Sequence, residues 1–284
     1  RVIWPIRDVT GQTVGFGARR LGDDDKGPKY LNTPETPVYH KSRVLYGLDL
    51  AKRQIAKKNQ VVIVEGYTDV MACHLAGIDT AVATCGTAFG ADHIPLIRRV
   101  MGDSDRGVDQ ARGEVIFTFD PDEAGQKAAS KAFADQEKFS AGTYVAVPPE
   151  GLDPCDVRVQ RGDAALQSVI EARRPMYEFM IKRVLEGMDL QTVEGRAYAL
   201  RQALQVVKTI RDSIVRQGYV RELAGWLGME PSEVSRELAQ ASRSQPATAG
   251  PVAVSDDAPV YQLGSLSKDP VTMIERDALM ALLQ

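Results

Sequence analysis

Carboxylates follow two short, mainly apolar runs of this 284-residue chain, residues 61–64 and residues 115–119. Short apolar runs bounded by turn residues are typical of buried parallel strands. The acids that follow the two runs are Glu65, Asp69, Asp120 and Asp122. Since ligands of open parallel sheets bind outside the carboxyl ends of the strands, we expect Glu65, Asp120 and Asp122 to lie where such a sheet does chemistry.

Three acids at neighbouring strand ends repel one another, and a divalent cation is the usual means of compensating them. Carboxylate oxygens are hard ligands, which favour Mg²⁺ or Mn²⁺ over zinc. The alternative is that the acids cap helices: Asp69 would cap a helix starting at Val70, and Asp122 one starting at Ala124. Two strand–acid units in one chain favour the metal site.

The three cysteines and three histidines form neither a disulfide framework nor a zinc-binding pattern. They are Cys73, Cys85, Cys155, His40, His74 and His93. No zinc is therefore expected in this chain, and a reducing, cytosolic setting is the default. No apolar run approaches the ~20 residues that span a bilayer, so no membrane partner is expected. The chain opens at Arg1 without an initiator Met or a signal peptide, and we expect it to be a fragment.

Charge is unevenly distributed along the chain. Residues 1–60 carry twice as many basic as acidic side chains, and residues 61–160 carry the reverse ratio. A basic segment beside an acidic one fits a phosphate-bearing polymer held near a metal cluster. An ordinary solvated surface is the alternative interpretation of the same pattern.

The order of the predicted elements changes along the chain. Residues 1–58 are predicted to form strands and turns before one helix. From residue 59 strands alternate with helices, which implies a parallel α/β sheet. The later part is helical, with helical spacing over 190–217, and residues 244–262 are rich in Ser, Pro, Ala and Gly and should form a flexible linker.

Two segments resemble the signature of a Toprim domain, which bacterial primases, topoisomerases, some nucleases and recombination mediators share. They are Glu65-Gly66-Tyr67-Thr68-Asp69-Val70 and Phe119-Asp120-Pro121-Asp122-Glu123-Ala124-Gly125. Four upstream motifs, in residues 1–8, 14–19, 28–36 and 40–47, resemble the basic subdomain of DnaG-type bacterial primases. The resemblance covers most of residues 1–160 and is weaker over the helical part.

The resemblance implies an α/β fold, with a Toprim parallel-sheet domain flanked by a basic α+β N-terminal subdomain and a C-terminal helical bundle. It implies a primase RNA polymerase domain that lacks the family's zinc-binding domain and most of its helicase-binding domain. The expected boundaries are 1–58 for the basic subdomain, 59–162 for the Toprim domain, 163–243 for the helical subdomain, 244–262 for the linker and 263–284 for the start of a truncated helical module.

The implied reaction joins ribonucleoside triphosphates (NTPs) into a short RNA primer on single-stranded DNA, by metal-dependent nucleotidyl transfer. By resemblance, Glu65, Asp120 and Asp122 are the catalytic acids and also metal ligands. Asp69 and Asp153 join them as further ligands of Mg²⁺ or Mn²⁺, with two or more ions expected. A role for Glu65 as general base rather than ligand stays open.

The resemblance also implies a set of nucleotide- or template-binding residues. They are Arg19, Lys29, Tyr30, Asn32, Lys41 and Arg43. Lys and Arg suit phosphate because both are cationic at neutral pH, and Arg can bind it bidentately. The implied partners are the single-stranded template, NTPs and the RNA primer, with the replicative helicase and the single-strand-binding protein contacting regions mostly absent here. The expected location is the cytoplasm, at the nucleoid.

One position departs from the family pattern. Family members often carry Asp-Pro-Asp after the last Toprim strand, whereas this chain has Cys155 in place of the second acid. Asp156 is the candidate replacement, because a thiolate is a poor ligand for Mg²⁺. Two other classes of protein stay open. One is another Toprim enzyme, a topoisomerase or nuclease that cleaves nucleic acid, and the other is a non-enzymatic Toprim DNA-binding module.

Overall fold

A computed structural model describes residues 1–22, 25–102, 113–119, 123–149 and 151–243. The chain divides into two units, residues 1–238 and residues 239–284. The sheets and cores described below belong to the first unit.

Nine strands in the described part of the chain form two sheets. They are β1 (Val2–Arg7), β2 (Thr13–Arg19), β3 (Tyr30–Asn32), β4 (Leu45–Tyr46), β5 (Gln60–Val64), β6 (Ala81–Thr84), β7 (Glu114–Thr118), β8 (Gly142–Ala146) and β9 (Arg174–Pro175). The larger sheet has the order β4-β6-β5-β7-β8-β9. Its four central strands run parallel, as predicted, and its two edge strands run antiparallel to their neighbours. At two residues each, the edge strands are too short for a sequence pattern to reveal.

Ten α-helices lie in the described residues. They are α1 (Leu48–Lys58), α2 (Tyr67–Leu75), α3 (Ile94–Met101), α4 (Glu123–Asp135), α5 (Pro154–Arg161), α6 (Asp163–Glu171), α7 (Met176–Leu185), α8 (Val193–Lys208), α9 (Ser213–Leu227) and α10 (Pro231–Arg243). The prediction of continuous helix over 190–217 is wrong, because residues 209–212 separate α8 from α9. The Asp212 carboxylate caps α9 by accepting a 2.8 Å hydrogen bond from the backbone N–H of Ile214.

The central strands are apolar because both faces of the larger sheet are buried. On one face, Ile63, Val115 and Phe117 pack in a core with α1, α3, α4 and α7 to α9. On the other face, Val62 and Ile116 pack with α2, α5 and α6. Alternate side chains of a strand therefore enter opposite cores, as the two-residue period of a strand requires. The C-terminal helices and the sheet share the first of these cores.

The smaller sheet is antiparallel, in the order β1-β2-β3, with an irregular register between Ile6 and Arg7. Ile6 joins Tyr39, Tyr67 and Cys85 in a separate buried cluster. Tyr67 begins α2 and Cys85 follows β6. The cluster therefore fastens the basic N-terminal region to the carboxyl side of the larger sheet.

His93 ties the loop after β6 to the same basic region. Its ring is 1% exposed and stacks on Phe89, with ring centroids 5.3 Å apart. Nδ1 accepts a hydrogen bond from the Gly90 backbone N–H at 3.2 Å, and Nε2 lies 3.2 Å from the carbonyl oxygen of Lys41. This arrangement requires a neutral ring with its proton on Nε2. Burial lowers the pKa of His93 below its ordinary value, which favours the neutral ring.

We expect His93 to make the free energy of unfolding depend on pH. Because the native pKa of His93 is lowered below 6.5, its contribution to stability is complete above pH 6.5. That contribution is lost as the pH falls through the native pKa. Replacing His93 with Gln should flatten the slope of stability against pH, by up to about 1.4 kcal/mol per pH unit.

Urea unfolding at a series of pH values between about 5 and 7.5 measures this slope. This pH range brackets the pKa of an ordinary histidine. The control is His40→Gln, because His40 is exposed and lies outside the buried clusters. Equal slopes for the wild type and the His93→Gln variant would contradict the assignment.

Candidate active site

The carboxyl ends of β5 and β7 lie side by side at the candidate site. The two strands are parallel neighbours, with Ile63 opposite Phe117. The Thr118 hydroxyl donates to the Ile63 carbonyl oxygen at 3.1 Å and ties the two strand ends together. Glu65 follows β5 directly and is exposed at this edge. The predicted sheet edge is therefore present, and Glu65 stands on it.

Asp69 lies in the first turn of α2 and is 5% exposed. Its Oδ2 accepts a hydrogen bond from the Gly66 backbone N–H at 2.9 Å, and its Oδ1 accepts one from the Cys155 backbone N–H at 3.3 Å. One carboxylate therefore joins the start of α2 to the start of α5. The prediction that Asp69 caps a helix starting at Val70 is wrong in its position, because α2 begins at Tyr67 and Asp69, its third residue, bonds back to the N-cap residue Gly66. The role of Asp69 as a metal ligand stays a prediction.

Asp153 caps α5, because its Oδ1 accepts a 2.6 Å hydrogen bond from the Asp156 backbone N–H. Cys155 is half-buried and packs against the core that α2 and α5 share. Burial raises the pKa of the Cys155 thiol above 9.0, so the thiol stays protonated at neutral pH. Asp156 is exposed one position further on. At position 155 a neutral thiol thus stands where the resemblance implies an acid. That Asp156 takes over the function of this acid stays a prediction.

The described acids of the site have the donor atoms that Mg²⁺ and Mn²⁺ prefer, since Glu65, Asp69 and Asp153 all offer carboxylate oxygens. Among the residues that the structure describes, no group of three or more His, Cys, Asp or Glu side chains is arranged to hold a metal ion. Asp120 and Asp122, which the sequence adds to this site, lie outside the described residues.

Basic and aromatic side chains share one face of the smaller sheet. Arg19 stands opposite Tyr30 in the pairing of β2 with β3. The guanidinium carbon of Arg19 and Nζ of Lys29 each lie 5.6 Å from the centre of the Tyr30 ring, a distance at which a cation is attracted to the ring face. The Tyr30 ring therefore lies beside two cations.

The predicted phosphate-binding cations are Arg19, Lys29, Lys41 and Arg43, which we call the basic quartet. Lys41 and Arg43 lie on a short 3₁₀ turn before β4, with Lys41 half-buried and Arg43 exposed. In the described ranges, no member of the basic quartet forms an ion pair with a carboxylate. Arg173, in contrast, pairs with Glu114 at 2.6 Å. Cations that lack a carboxylate partner among the described residues are available to bind phosphate.

Asn32 ends β3 and is held by the side chain of Tyr67, at the start of α2. Its Oδ1 accepts a 2.6 Å hydrogen bond from the hydroxyl of Tyr67. Trp4 stacks on the Tyr67 ring at 5.5 Å, and Tyr46 meets that ring edge-on at 4.7 Å. These contacts hold the face of the smaller sheet that carries Asn32 against the start of α2.

Reasoning from the sequence missed three residues that position the site, namely Tyr67, Thr118 and His93. Tyr67 stands inside the Toprim-like motif, but nothing in the sequence indicates which residue its hydroxyl contacts. Thr118 is a polar residue within an apolar strand, and this exception is the signal that could have identified it. His93 carries no signal, because both of its hydrogen-bond partners are backbone atoms, one in nearby Gly90 and the other in distant Lys41.

Three family models match the chain. The model described as "DNA primase catalytic core, N-terminal domain" matches residues 1–52, and the "Toprim domain" model matches residues 59–147. A third, described as "DnaB-helicase binding domain of primase", matches residues 177–232. The sheet, the acid at its carboxyl edge and the first two models together define a Toprim-containing primase catalytic core.

Curated relatives and a solved structure narrow this class. The DNA primase of Streptomyces coelicolor is 52% identical over 244 residues, which cover 86% of this chain and 37% of that protein. The DNA primase of Mycobacterium bovis is 54% identical over 229 residues, which cover 80% of this chain and 35% of that protein. The crystal structure of the RNA polymerase domain of Mycobacterium tuberculosis primase DnaG, in complex with double-stranded DNA, is 54% identical with a TM-score of 0.71. That match covers 80% of this chain and 70% of the solved chain.

The chain belongs to the DnaG family of bacterial primases. It spans little more than a third of the length of the curated relatives, 37% and 35% in the two cases above. The expected fold, a Toprim sheet domain between a basic α+β subdomain and a helical bundle, is confirmed. The alternatives of a nucleic-acid-cleaving Toprim enzyme and of a non-enzymatic Toprim module are not favoured, because the relatives are primases.

The helicase-binding model matches a segment that lies within this chain, over α7 to α9. Contacts with the helicase are expected mostly through regions absent here, so this match adds a candidate helicase-binding segment. In the described part of the chain, none of the helices is both long enough and apolar enough to cross a membrane.

Replacing Asp69 with Asn should lower the free energy of unfolding by about 1–3 kcal/mol. The Asp69 carboxylate accepts backbone hydrogen bonds on both oxygens, whereas an amide would turn one of those atoms into a donor. That donor would face a second donor, the N–H of either Gly66 or Cys155. Urea unfolding in the presence of EDTA measures the loss without a bound metal ion.

The matched control for this measurement is Asp156→Asn. This variant changes an exposed carboxylate in the first turn of α5, the helix whose start Asp69 contacts. A loss of about 0.5 kcal/mol or less is expected there. Equal losses in the two variants would show that the Asp69 bridge does not hold α2 to α5.

Proposed function

We propose that this chain carries the polymerising activity of a primase, a DNA-directed RNA polymerase that joins NTPs into short RNA primers on single-stranded DNA during replication. The observation that carries the proposal is the basic quartet, which has no carboxylate partner in the described part of the chain and lies on the region fastened to the Glu65 edge. Such cations bind the phosphates of a template or a triphosphate. The carboxylates of the site carry the negative charge that binds the metal ions of phosphoryl transfer.

Glu65, Asp120 and Asp122 would hold the Mg²⁺ or Mn²⁺ ions of this reaction, two or more in number, and Asp69 and Asp153 are further candidate ligands. Such ions activate the attacking 3′-hydroxyl, neutralise the phosphates and stabilise the leaving oxygen. Glu65 could instead accept the proton of the hydroxyl as a general base. Its exposure at the end of β5 suits either role.

The basic quartet and Tyr30 would bind and orient the substrates. The Tyr30 ring is 51% exposed and lies between two cations, an arrangement that suits a base or ribose held beside a phosphate. Arg19 stands opposite Tyr30 in the pairing of β2 with β3 and would hold a phosphate beside the Tyr30 ring. Lys41 and Arg43 lie on the turn just before β4, whose Leu45 pairs with Thr84, the last residue of β6, so both add positive charge near the end of β6.

The proposed partners follow from the same site and from the family matches. They are a single-stranded template, NTPs and the growing RNA primer, at the nucleoid in the cytoplasm. The replicative helicase is proposed to contact the segment 177–232, and the single-strand-binding protein a region outside the described residues. The domain boundaries at 58, 162 and 243 are part of this proposal.

The protein should extend RNA from NTPs on a single-stranded DNA template with Mn²⁺ or Mg²⁺, and Glu65→Gln should lower the rate by about 100-fold or more. The reason is that an amide cannot ligate a hard cation as a carboxylate does, nor accept a proton. Denaturing gels of labelled products measure both. Glu171→Gln is the control, because it makes the same change at an exposed position of α6.

Cleavage of the template without any incorporation of NTPs would overturn the proposed reaction. Full activity of Glu65→Gln, with unchanged dependence on metal concentration, would instead overturn only the role given to Glu65.

Lys41→Gln should weaken binding of single-stranded DNA and reduce the slope of log affinity against log salt concentration by about 0.7, the value for one phosphate contact on a single strand. Fluorescence anisotropy at several salt concentrations measures the slope. Lys57→Gln removes the same charge from the exposed end of α1 and should leave the slope unchanged. Equal slopes for the wild type and both variants would contradict a phosphate contact at Lys41.

A further inference from the structure

Tyr67 is an aromatic residue at the start of α2 whose ring is held from several sides. It is 8% exposed, and Trp4 stacks on it. Gly17 of β2 approaches so closely that an added Cβ would stand 2.6 Å from Cε2 and Cζ of the ring. The ring therefore has little room to move, and the direction of its hydroxyl group is fixed.

The hydrogen bond from Tyr67 decides which atoms Asn32 presents. Because Oδ1 of Asn32 accepts the Tyr67 proton at 2.6 Å, Nδ2 and its two hydrogens turn the other way, towards Gly86. Gly86 follows β6 with a φ of +73°, and an added Cβ there would collide with Nδ2. Nδ2 donates no hydrogen bond within the described ranges of the chain. A donor group is thus held in place without a partner there.

This donor lies next to both halves of the candidate site. Asn32 and Tyr30 are two residues apart on β3, so their side chains share the sheet face that also carries Arg19. Tyr67, which holds the amide, is two residues from Glu65 on the chain. A nucleotide bound by the basic quartet would therefore have the Asn32 amide within its surroundings.

We propose that Tyr67 is a positioning residue that holds the Asn32 amide as a fixed hydrogen-bond donor to an oxygen of the incoming nucleotide. The proposal deepens the proposed function and rests on it for the identity of the substrate. The acceptor is a ribose hydroxyl oxygen or a phosphate oxygen. An amide already held in the binding orientation loses less rotamer freedom on binding than a mobile one, so Tyr67 increases affinity without touching the nucleotide.

The test is Tyr67→Phe in the full-length protein, because this change removes the hydroxyl and keeps the ring that packs against Trp4 and Gly17. The KM for ATP in primer synthesis and the Kd for ATP with Mg²⁺ should both rise about three- to tenfold, the range of one neutral hydrogen bond. The kcat should change by less than about twofold, because the bond serves binding rather than the transition state alone.

A double-mutant cycle separates positioning from general damage. If Tyr67 acts through Asn32, adding Tyr67→Phe to Asn32→Ala should raise the KM no further than Asn32→Ala alone. Fully additive effects would overturn the proposal, as would a Tyr67→Phe variant with the wild-type KM and Kd. Tyr46→Phe is the matched control, because Tyr46 belongs to the same aromatic cluster and its hydroxyl makes no hydrogen bond in the described part of the chain.

Comparing ATP with dATP identifies the acceptor. If Asn32 donates to the ribose 2′-oxygen, Tyr67→Phe should weaken the binding of ATP and leave the binding of dATP unchanged. The preference for ribonucleotides would then fall. If Asn32 donates to a phosphate oxygen, the binding of both nucleotides should weaken equally. A wild-type protein that makes no primer would overturn the proposed function, and the Kd for ATP would still decide the role of Tyr67.

Discussion

The parallel pairing of β5 with β7 is the constraint on which the rest of the structure depends. It brings the carboxyl ends of two strands to the same edge of one sheet, where Glu65 directly follows β5, and the Thr118 hydroxyl fixes the strand ends at the Ile63 carbonyl. Since both faces of the sheet are buried under helices, the strands cannot slip without exposing apolar side chains. The edge that carries Glu65 is thus part of a rigid frame.

The basic region is useful only if it keeps its orientation towards that edge. Two contacts of different chemistry provide this: the aromatic cluster around Tyr67, and the neutral ring of His93 against the Lys41 carbonyl group. The Asp69 carboxylate makes a third connection, from α2 to α5, on the acidic side. The candidate site is therefore built from elements distant in sequence, and Tyr67, His93 and Asp69 connect those elements.

The sequence predicted the elements with strong periodicity and the residues with conspicuous chemistry. The parallel strands and the position of Glu65 at the end of β5 follow from the apolar runs, whereas the basic quartet was assigned by resemblance. Long-range contacts could not be predicted, because the partner of the Tyr67 hydroxyl or of the His93 ring depends on tertiary packing. The break between α8 and α9 was missed because apolar spacing continues through it while Asp212 starts a new helix. Cys155 shows a limit of resemblance, since a neutral thiol occupies the place of an expected acid.

The central claim is that the carboxyl edge of β5 and β7 binds divalent cations through Glu65 and its neighbouring acids. Anomalous diffraction from a crystal soaked in Mn²⁺ tests it most directly, because the signal locates the ion independently of the protein phases. We predict an anomalous peak within about 2–2.5 Å of a Glu65 carboxylate oxygen, the usual metal–oxygen distance for such ions. Anomalous peaks for fully occupied Mn²⁺ sites elsewhere in the protein, with no peak at this edge, would contradict metal binding by Glu65.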